Sequence, residues 1–141
     1  MAKVKFTNLK LNGDVPYEKV VIGEHEFEVL QYLSSEKKAQ FVSRVVEQSI
    51  VGGIVRTDIM NPLFFFNLFL DYTNLTFTEK QAGDPLMVYD RLVNSEYFKL
   101  IGSIPEKEYT ELKTLVEDYS NKITKLVEQG ATGVIPANRK S

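Results

Sequence analysis

The longest apolar run in the chain, residues 61–73, predicts a buried helix around which the rest of the protein folds. Its large apolar residues are Leu63, Phe64, Phe65, Phe66, Leu68, Phe69, Leu70 and Tyr72. A helix that is apolar nearly all round has to be covered by neighbours on most sides. Asn61 followed by Pro62 is typical of an N-cap and a first helical residue. The run is too short to span a bilayer, which takes about 20 apolar residues.

Residues 3–11 predict an N-terminal strand. Lysines separate apolar side chains in a partial alternation, which is broken at Thr7 and Asn8. The apolar positions of this segment are Val4, Phe6, Leu9 and Leu11. A turn signal, Asn12-Gly13, follows and is expected to end the strand.

Residues 17–32 predict a β-hairpin. A β-branched run leads to a turn at Gly23 and Glu24, after which Phe27 and Val29 fall on one face. A hairpin of two strands is marginally stable by itself. We therefore expect a helix to pack beneath the apolar face of this hairpin.

Residues 36–51 repeat apolar side chains at helical spacing. The apolar stripe consists of Phe41, Val42, Val45, Val46, Ser49 and Ile50. The charged residues largely outside it are Lys37, Lys38, Arg44 and Glu47. Ser34 and Ser35 are N-cap candidates, and Gly52-Gly53 is expected to end the helix.

Further helices follow the central one. Asp84 followed by Pro85 predicts a helix start after a polar loop, and Ser95 is expected to cap a short helix. Ser103 and Glu106 have the spacing of a capping box at the start of the last helix. Gly130 is its expected C-cap.

The last helix carries a heptad repeat. Its apolar positions are Tyr109, Leu112, Val116, Tyr119, Ile123 and Leu126. Such a stripe packs either within the same chain, on the central helix, or against another molecule. The sequence leaves both arrangements open.

Together these elements predict an α+β domain that is mainly helical. A β-hairpin or strand element over residues 1–33 precedes a compact bundle of four to five helices over residues 35–130. Residues 131–141 are expected to form a flexible tail. The length of 141 residues suits one domain, and the composition, with 43% hydrophobic and 26% charged residues, is that of an ordinary globular protein.

Charge and composition argue against several functions. The net charge of −2 provides no general attraction for nucleic acid or an anionic membrane. Because the chain has no cysteine, it has no disulfide, thiolate metal site or cysteine nucleophile. The N-terminal sequence contains no apolar run long enough for a signal peptide, so we expect an intracellular protein.

The sequence predicts no catalytic, cofactor or metal site. Adjacent strand residues point to opposite faces, so His25 and its two glutamate neighbours do not converge on one ion, and His25 is expected to be an exposed turn residue. Without a partnered histidine there is no Ser-His-Asp set. The acidic residues expected on the solvated face of the last helix are Glu106, Glu108, Glu111, Glu117 and Asp118.

Four stretches that cover most of the chain carry a resemblance to known proteins. They are FTNLKLNG, FEVLQYLSSEKKAQFVSRVVEQS, LDYTNLTFTEKQAGDPLMVYDRLVNS and IPEKEYTELKTLVEDYSNKI. In this order they resemble a family of small, poorly characterised proteins encoded among the head and tail genes of phages that infect Gram-positive bacteria. A second, weaker similarity, a hairpin before a helical body, is to the tail assembly chaperones of long-tailed phages.

The resemblance implies a non-enzymatic structural or assembly protein, located in the virion or in the cytoplasm of the infected host. The expected partners are other phage structural proteins of the capsid, connector or tail, with self-association as a further option and no membrane, nucleic acid or cofactor. Two alternatives remain: a tail assembly chaperone absent from the mature particle, and a host-directed inhibitor. The resemblance supplies no functional residues. The candidate contact residues are chosen instead because they lie in terminal segments expected outside the core, and they are Val4, Phe6, Leu9, Leu11, Val134, Ile135 and Arg139.

Overall fold

The computed structural model describes residues 2–9 and 15–134, with side chains as far as Gln129. The strands are β1 (Tyr17–Ile22), β2 (His25–Leu30), β3 (Ile50–Val51) and β4 (Ile54–Val55). The α-helices are α1 (Ser35–Gln48), α2 (Met60–Tyr72), α3 (Glu79–Ala82), α4 (Pro85–Val93) and α5 (Glu106–Val134). Short 3-10 helices occupy Phe6–Asn8, Thr57–Ile59 and Glu96–Ser103. This arrangement confirms the mainly helical α+β fold.

Helix α2 is the centre of the fold, as the sequence predicts. It packs against α1, α4, β2 and the 3-10 helix Glu96–Ser103. Its buried side chains are Leu63, Phe64, Phe66, Asn67, Leu68, Phe69 and Tyr72. Burial of each large apolar side chain contributes roughly 1.5–3 kcal/mol. The predicted N-cap at Asn61 is wrong, because the 3-10 helix Thr57–Ile59 leads directly into α2 and places Asn61 inside the helix.

The predicted hairpin is present, and its turn is the expected one. Strands β1 and β2 pair antiparallel from Tyr17 opposite Leu30 to Ile22 opposite His25, which leaves Gly23 and Glu24 as a two-residue turn. The face that carries Ile22, Phe27 and Val29 is buried. The hairpin therefore takes its stability from the helices beneath it, since two strands alone are marginal.

The strand predicted for residues 3–11 is wrong over the part that the structure describes. Residues 6–8 form a 3-10 turn, in which the amide of Asn8 donates to the carbonyl of Lys5 (2.9 Å). The polar pair Thr7-Asn8 breaks the alternation that a strand face needs, and no neighbouring strand supplies hydrogen bonds to residues 2–9.

Helix α1 begins as predicted and ends early. The Ser34 hydroxyl accepts a hydrogen bond from the amide of Lys37 (3.2 Å), which identifies Ser34 as the N-cap. The helix ends at Gln48, so Gly52-Gly53 does not stop it. Both glycines have positive φ, +60° and +78°, and form the turn between β3 and β4. Two successive positive φ values are typical of the type I′ turn of a β-hairpin.

The helices after α2 begin close to where the sequence places them. Helix α4 begins at Pro85 after Asp84, and the Ser95 hydroxyl accepts from the amide of Tyr97 (3.2 Å) at the start of a 3-10 helix. The sequence did not predict α3, a four-residue helix with a capping box between Thr78 and Gln81. Capping residues alone therefore start a helical turn inside the loop.

Helix α5 continues through Gly130 to Val134, so the predicted C-cap is wrong. A glycine costs a helix only about 1 kcal/mol and does not by itself end it. No helix among residues 2–9 and 15–134 is long and apolar enough to cross a membrane.

The heptad face of α5 packs within the chain along its first half. Leu112 and Val116 are buried, and α5 runs along α1. The ring of Tyr109 meets Phe64 of α2 edge to face, with 5.3 Å between the ring centroids. Leu126, further along the same face, is 61% exposed. The heptad stripe is thus an internal packing face that extends beyond the core.

Candidate functional site

Glu108 lies at the centre of a buried polar network, which corrects the prediction that it is solvated. Its carboxylate is 2.9 Å from Lys38 Nζ and accepts from the hydroxyl of Tyr72 (2.9 Å) and the amide of Leu33 (3.0 Å). Lys38 also donates to Glu111 (2.8 Å). Only 3% of Glu108 is exposed. Three donors from different parts of the chain therefore meet on one carboxylate.

The network keeps Lys38 charged and Tyr72 neutral. Burial on its own lowers the pKa of Lys38, but hydrogen bonds to Glu111 and Glu108 and the charges of both carboxylates raise this pKa above its ordinary value. Burial and the bonded Glu108 carboxylate raise the pKa of the Tyr72 hydroxyl. The arrangement is a buried ion pair whose groups bind one another, and it joins α1, α2, α5 and the segment before α1.

The spacing between charged and apolar residues could have shown from the sequence that Lys38 and Glu108 are buried. Lys38 precedes Phe41 by three positions and Val42 by four, and Glu108 precedes Leu112 by four. Residues three or four apart share a helix face. Each charge therefore lies on an apolar face, where burial requires a partner of opposite sign.

A second polar network joins α1 to α2. Asn67, which is fully buried, donates to the side chain of Gln48 (2.9 Å) and to the carbonyl of Leu63 (2.8 Å). Its own amide oxygen accepts from Arg44 Nε (2.8 Å), and Arg44 also pairs with Asp71. Because the donors and acceptors of the Asn67 side chain are bound within the fold, this network is structural.

His25 is exposed at the end of the hairpin, as predicted. Its neighbours are aromatic, with ring centroids of Phe27 and Tyr97 at 6.1 and 6.3 Å. Within the described part of the chain, no group of three or more histidine, aspartate or glutamate side chains is placed to hold a metal ion.

The N-terminal segment, residues 2–9, exposes three of the candidate contact residues. Val4 and Phe6 are each 75% exposed, and about half of Leu9 is exposed. No residue of the 3-10 turn in this segment is buried. Of the other candidates, Leu11, Ile135 and Arg139 lie outside the described residues, and Val134 is described only as the last residue of α5. Val4, Phe6 and Leu9 are thus exposed within one short segment of the chain.

The outer edge of β2 is bonded to residues that follow α2. β1 contacts the 3-10 helix Glu96–Ser103, but no hydrogen bond from the described residues reaches its outer edge. The amide of Glu28 donates to Asn74 Oδ1 (3.1 Å), and Val29 forms a β-bridge with Thr73. In a hairpin with a two-residue turn, the two residues next to the turn, here Ile22 and His25, exchange both backbone hydrogen bonds. Along the strands, hydrogen-bonded pairs then alternate with pairs whose backbone groups point outward, away from the partner strand. The outward position of the Glu28 amide agrees with this alternation.

The alternation leaves the backbone N–H and C=O groups of Tyr17, Lys19 and Val21 directed away from β2. Within the described residues, no hydrogen bond from elsewhere in the chain reaches these groups. The side chains of the same three residues are also exposed, Val21 to 67%. An open edge with exposed apolar side chains is a surface on which another strand can pair.

Two further apolar surfaces lie elsewhere on the molecule. The β3–β4 hairpin exposes Val51 and Ile54. A groove of about 480 Å³ between α2 and α5 has an apolar floor of Met60, Phe64 and Val116. The groove is also lined by Lys113 and Glu117, whose opposite charges favour neither an anionic nor a cationic ligand.

No protein family model, curated protein or solved structure matched this chain. Among the described residues, the N-terminal segment and the outer edge of β1 each offer exposed apolar side chains together with backbone groups.

Proposed function

We propose that this protein is a non-enzymatic structural or assembly protein of a phage particle, and that it works by binding other head or tail proteins. The observation that carries this proposal is the exposure of Val4, Phe6 and Leu9 in a segment that contributes nothing to the core. Exposed apolar side chains grouped in one segment are typical of a surface that a partner covers. The resemblance to proteins of phage head and tail gene clusters indicates which class of partner this is.

The form of the segment suits strand addition. Residues 2–5 have no regular secondary structure, and Lys5 has extended backbone angles of −78° and 139°. Val4 and Phe6 are two positions apart, so in an extended chain both point to one side, with the lysines on the other. A segment of this kind adds to the edge of a neighbouring sheet, where its backbone supplies affinity and alternate side chains supply specificity.

The buried polar groups support a binding role over a catalytic one. Glu108 and Lys38 are nearly inaccessible and bind each other, and the Asn67 network is internally satisfied. A general acid or base has to reach a substrate proton directly or through one water molecule. These groups are positioned instead to hold the helices together.

The first test is mass spectrometry of purified, mature particles of the phage that encodes this chain, with peptide counts scaled to the major capsid protein. We expect a reproducible stoichiometric signal. Absence from the particle, combined with abundance in infected cells, would contradict the virion role and favour the tail assembly chaperone or the host-directed inhibitor. Gene position among early genes, away from capsid and tail genes, would favour the inhibitor.

The second test links the role to the segment. A phage that carries Val4→Asp together with Phe6→Asp should lose the protein from its particles, because both side chains then carry a charge into an apolar contact. The matched control is Leu126→Asp together with Val127→Asp, which introduces the same two charges at exposed apolar residues on α5. Equal incorporation of both variants would exclude the N-terminal segment as the contact.

A further inference from the structure

We propose that the open edge of β1 binds residues 2–6 of a second copy of this chain as a third, antiparallel strand. The idea depends on the proposed function in one respect, that the N-terminal segment is a contact element, and it names a second copy as the acceptor. Both halves of the contact are present in each molecule: an exposed segment with apolar side chains and an edge with free backbone groups. Two copies that exchange segments around a two-fold axis satisfy both.

One pairing register fits the side chains on both strands. With Lys5 opposite Glu18, Phe6 lies opposite Tyr17 and Val4 opposite Lys19. Aromatic pairs and pairs of opposite charge across strands are each stabilising. The outward backbone groups of β1 belong to Tyr17, Lys19 and Val21, which in this register meet Phe6, Val4 and Ala2.

A shift by one residue is unfavourable. It places a lysine of the segment, Lys3 or Lys5, directly opposite Lys19, and like charges directly opposite each other are destabilising. It also turns Val4 and Phe6 to the other face of the sheet, away from Tyr17. The charges along both strands therefore select the register that joins Lys5 to Glu18.

Lys19 also disfavours a direct pairing of β1 with β1 of a second copy. In a symmetric arrangement centred on Lys19, two ammonium groups would meet, and a lysine in an edge strand opposes such joining. The N-terminal segment brings Val4 to this position instead. In this arrangement the Lys19 ammonium still pairs with the Glu26 carboxylate of the same hairpin, 3.7 Å away.

The acceptor is a second molecule because the segment is not on its own edge. Residues 6–8 form a 3-10 turn, and Val4 and Phe6 are three-quarters exposed. The ten residues between Phe6 and Tyr17 reach at most about 34 Å when extended, which is enough to cross to a neighbouring molecule.

The deciding experiment is sedimentation equilibrium of the full chain with one backbone-directed substitution. Lys19→Pro removes the N–H that faces the open edge and leaves the bonds to β2 in place, since proline is tolerated on an edge strand. The matched control, Lys19→Ala, removes the same ammonium and keeps the N–H. We expect dimers from the wild type and from Lys19→Ala, and at least a tenfold weaker dimer from Lys19→Pro.

Deletion of residues 2–6 keeps the test decisive if the proline variant does not fold. The segment contains no buried residue, so the shortened chain should fold and remain monomeric. A wild type that is monomeric over the whole concentration range overturns the inference, as does a dimer that survives the deletion. Slow hydrogen exchange of the outward β1 amides in a monomer would show that the segment folds back on the β1 edge of its own chain. That result also overturns the inference.

A charge exchange tests the register and the second copy together. Lys5→Glu and Glu18→Lys should each weaken the homodimer about three- to tenfold, because each places like charges opposite each other twice in the dimer. Mixing the two variants should restore a heterodimer, in which every such pair again has opposite signs. No recovery on mixing overturns the register.

The two proposals can fail separately. A monomeric protein that is still incorporated into particles overturns the segment exchange and leaves the proposed function standing. A dimer that is absent from mature particles supports the exchange and contradicts the virion role.

Discussion

At the start of α5 charged side chains are buried, whereas in residues 2–9 large apolar side chains are exposed. In the first region Glu108 is surrounded by Lys38, Tyr72 and an amide of the chain, so each buried group has its partner within the molecule. In the second region Val4 and Phe6 have no comparable cover. The first region therefore contributes to folding, whereas the second is the segment for which we propose a role in association.

The strongest test of this contrast is Glu108→Ala. It leaves Lys38 buried with only the half-exposed Glu111 as a partner and deprives Tyr72 and the amide of Leu33 of their acceptor. Removing one member of a buried ion pair costs about 3–5 kcal/mol. We expect a loss of this size in the free energy of unfolding, measured by urea denaturation.

The matched control for this loss is Glu117→Ala, an exposed glutamate on the same helix. Its effect should stay within about 0.5 kcal/mol. Equal effects of the two substitutions would mean that the buried network contributes little to stability, and the contrast between the two regions would then fail.

Tyr72→Phe tests the same network with a smaller effect. It removes the hydroxyl that donates to Glu108 and should cost about 1–3 kcal/mol at neutral pH. The pKa of this hydroxyl is raised in the folded state, so above about pH 10 the unfolded chain loses the proton first and stability falls as the pH rises. The raised pKa of Lys38 acts in the same direction.

The dependence of stability on alkaline pH separates the contribution of Tyr72 from that of Lys38. In Tyr72→Phe the fall in stability above about pH 10 should be shallower than in the wild type, because only one of the two raised groups remains. Urea denaturation at pH values from 7 to about 11 measures this slope. Identical slopes in the two proteins would show that the Tyr72 hydroxyl does not titrate differently on unfolding.

Gly53→Ala, in the β3–β4 turn, should lower the free energy of unfolding less than the two substitutions above. Gly53 has a φ of +78°, and no atom lies within 4 Å of an added Cβ, so the cost is backbone strain alone, about 1 kcal/mol. Gly102→Ala is the matched control, since Gly102 has equal space and no positive φ. A thermal melt that shifts equally for both variants would contradict the predicted turn strain.

Local signals in the sequence predicted most of the fold. The apolar run of α2, the Gly23 turn and the Ser34 cap each act through neighbours in the chain, and the structure confirms all three. The prediction that Gly52-Gly53 ends α1 was wrong because glycine adopts the left-handed backbone conformation both at the end of a helix and in the turn of a hairpin. The β-branched residues on both sides of it favoured the hairpin.

The buried network was missed because its partners are far apart in sequence. Lys38 and Glu108 are separated by 70 positions, and neither residue shows by itself which opposite charge it will meet. Val4, Phe6 and Leu9 are exposed, although they belong to no strand, and their role as contact residues stays a prediction. The open edge of β1 was not recognised, because an edge exists only once the neighbours of each strand are known.

The smallest expected change in stability, and the clearest sign of association, comes from Phe6→Ala. Phe6 is 75% exposed, so its truncation should alter the free energy of unfolding by less than about 0.5 kcal/mol. The same substitution at Phe69, which is fully buried in α2, should cost about 3–5 kcal/mol. A loss above 1 kcal/mol from Phe6→Ala in the dilute protein would place Phe6 in the core. A negligible loss, combined with weaker dimer formation, is the result expected of a side chain whose apolar area is covered only by another molecule.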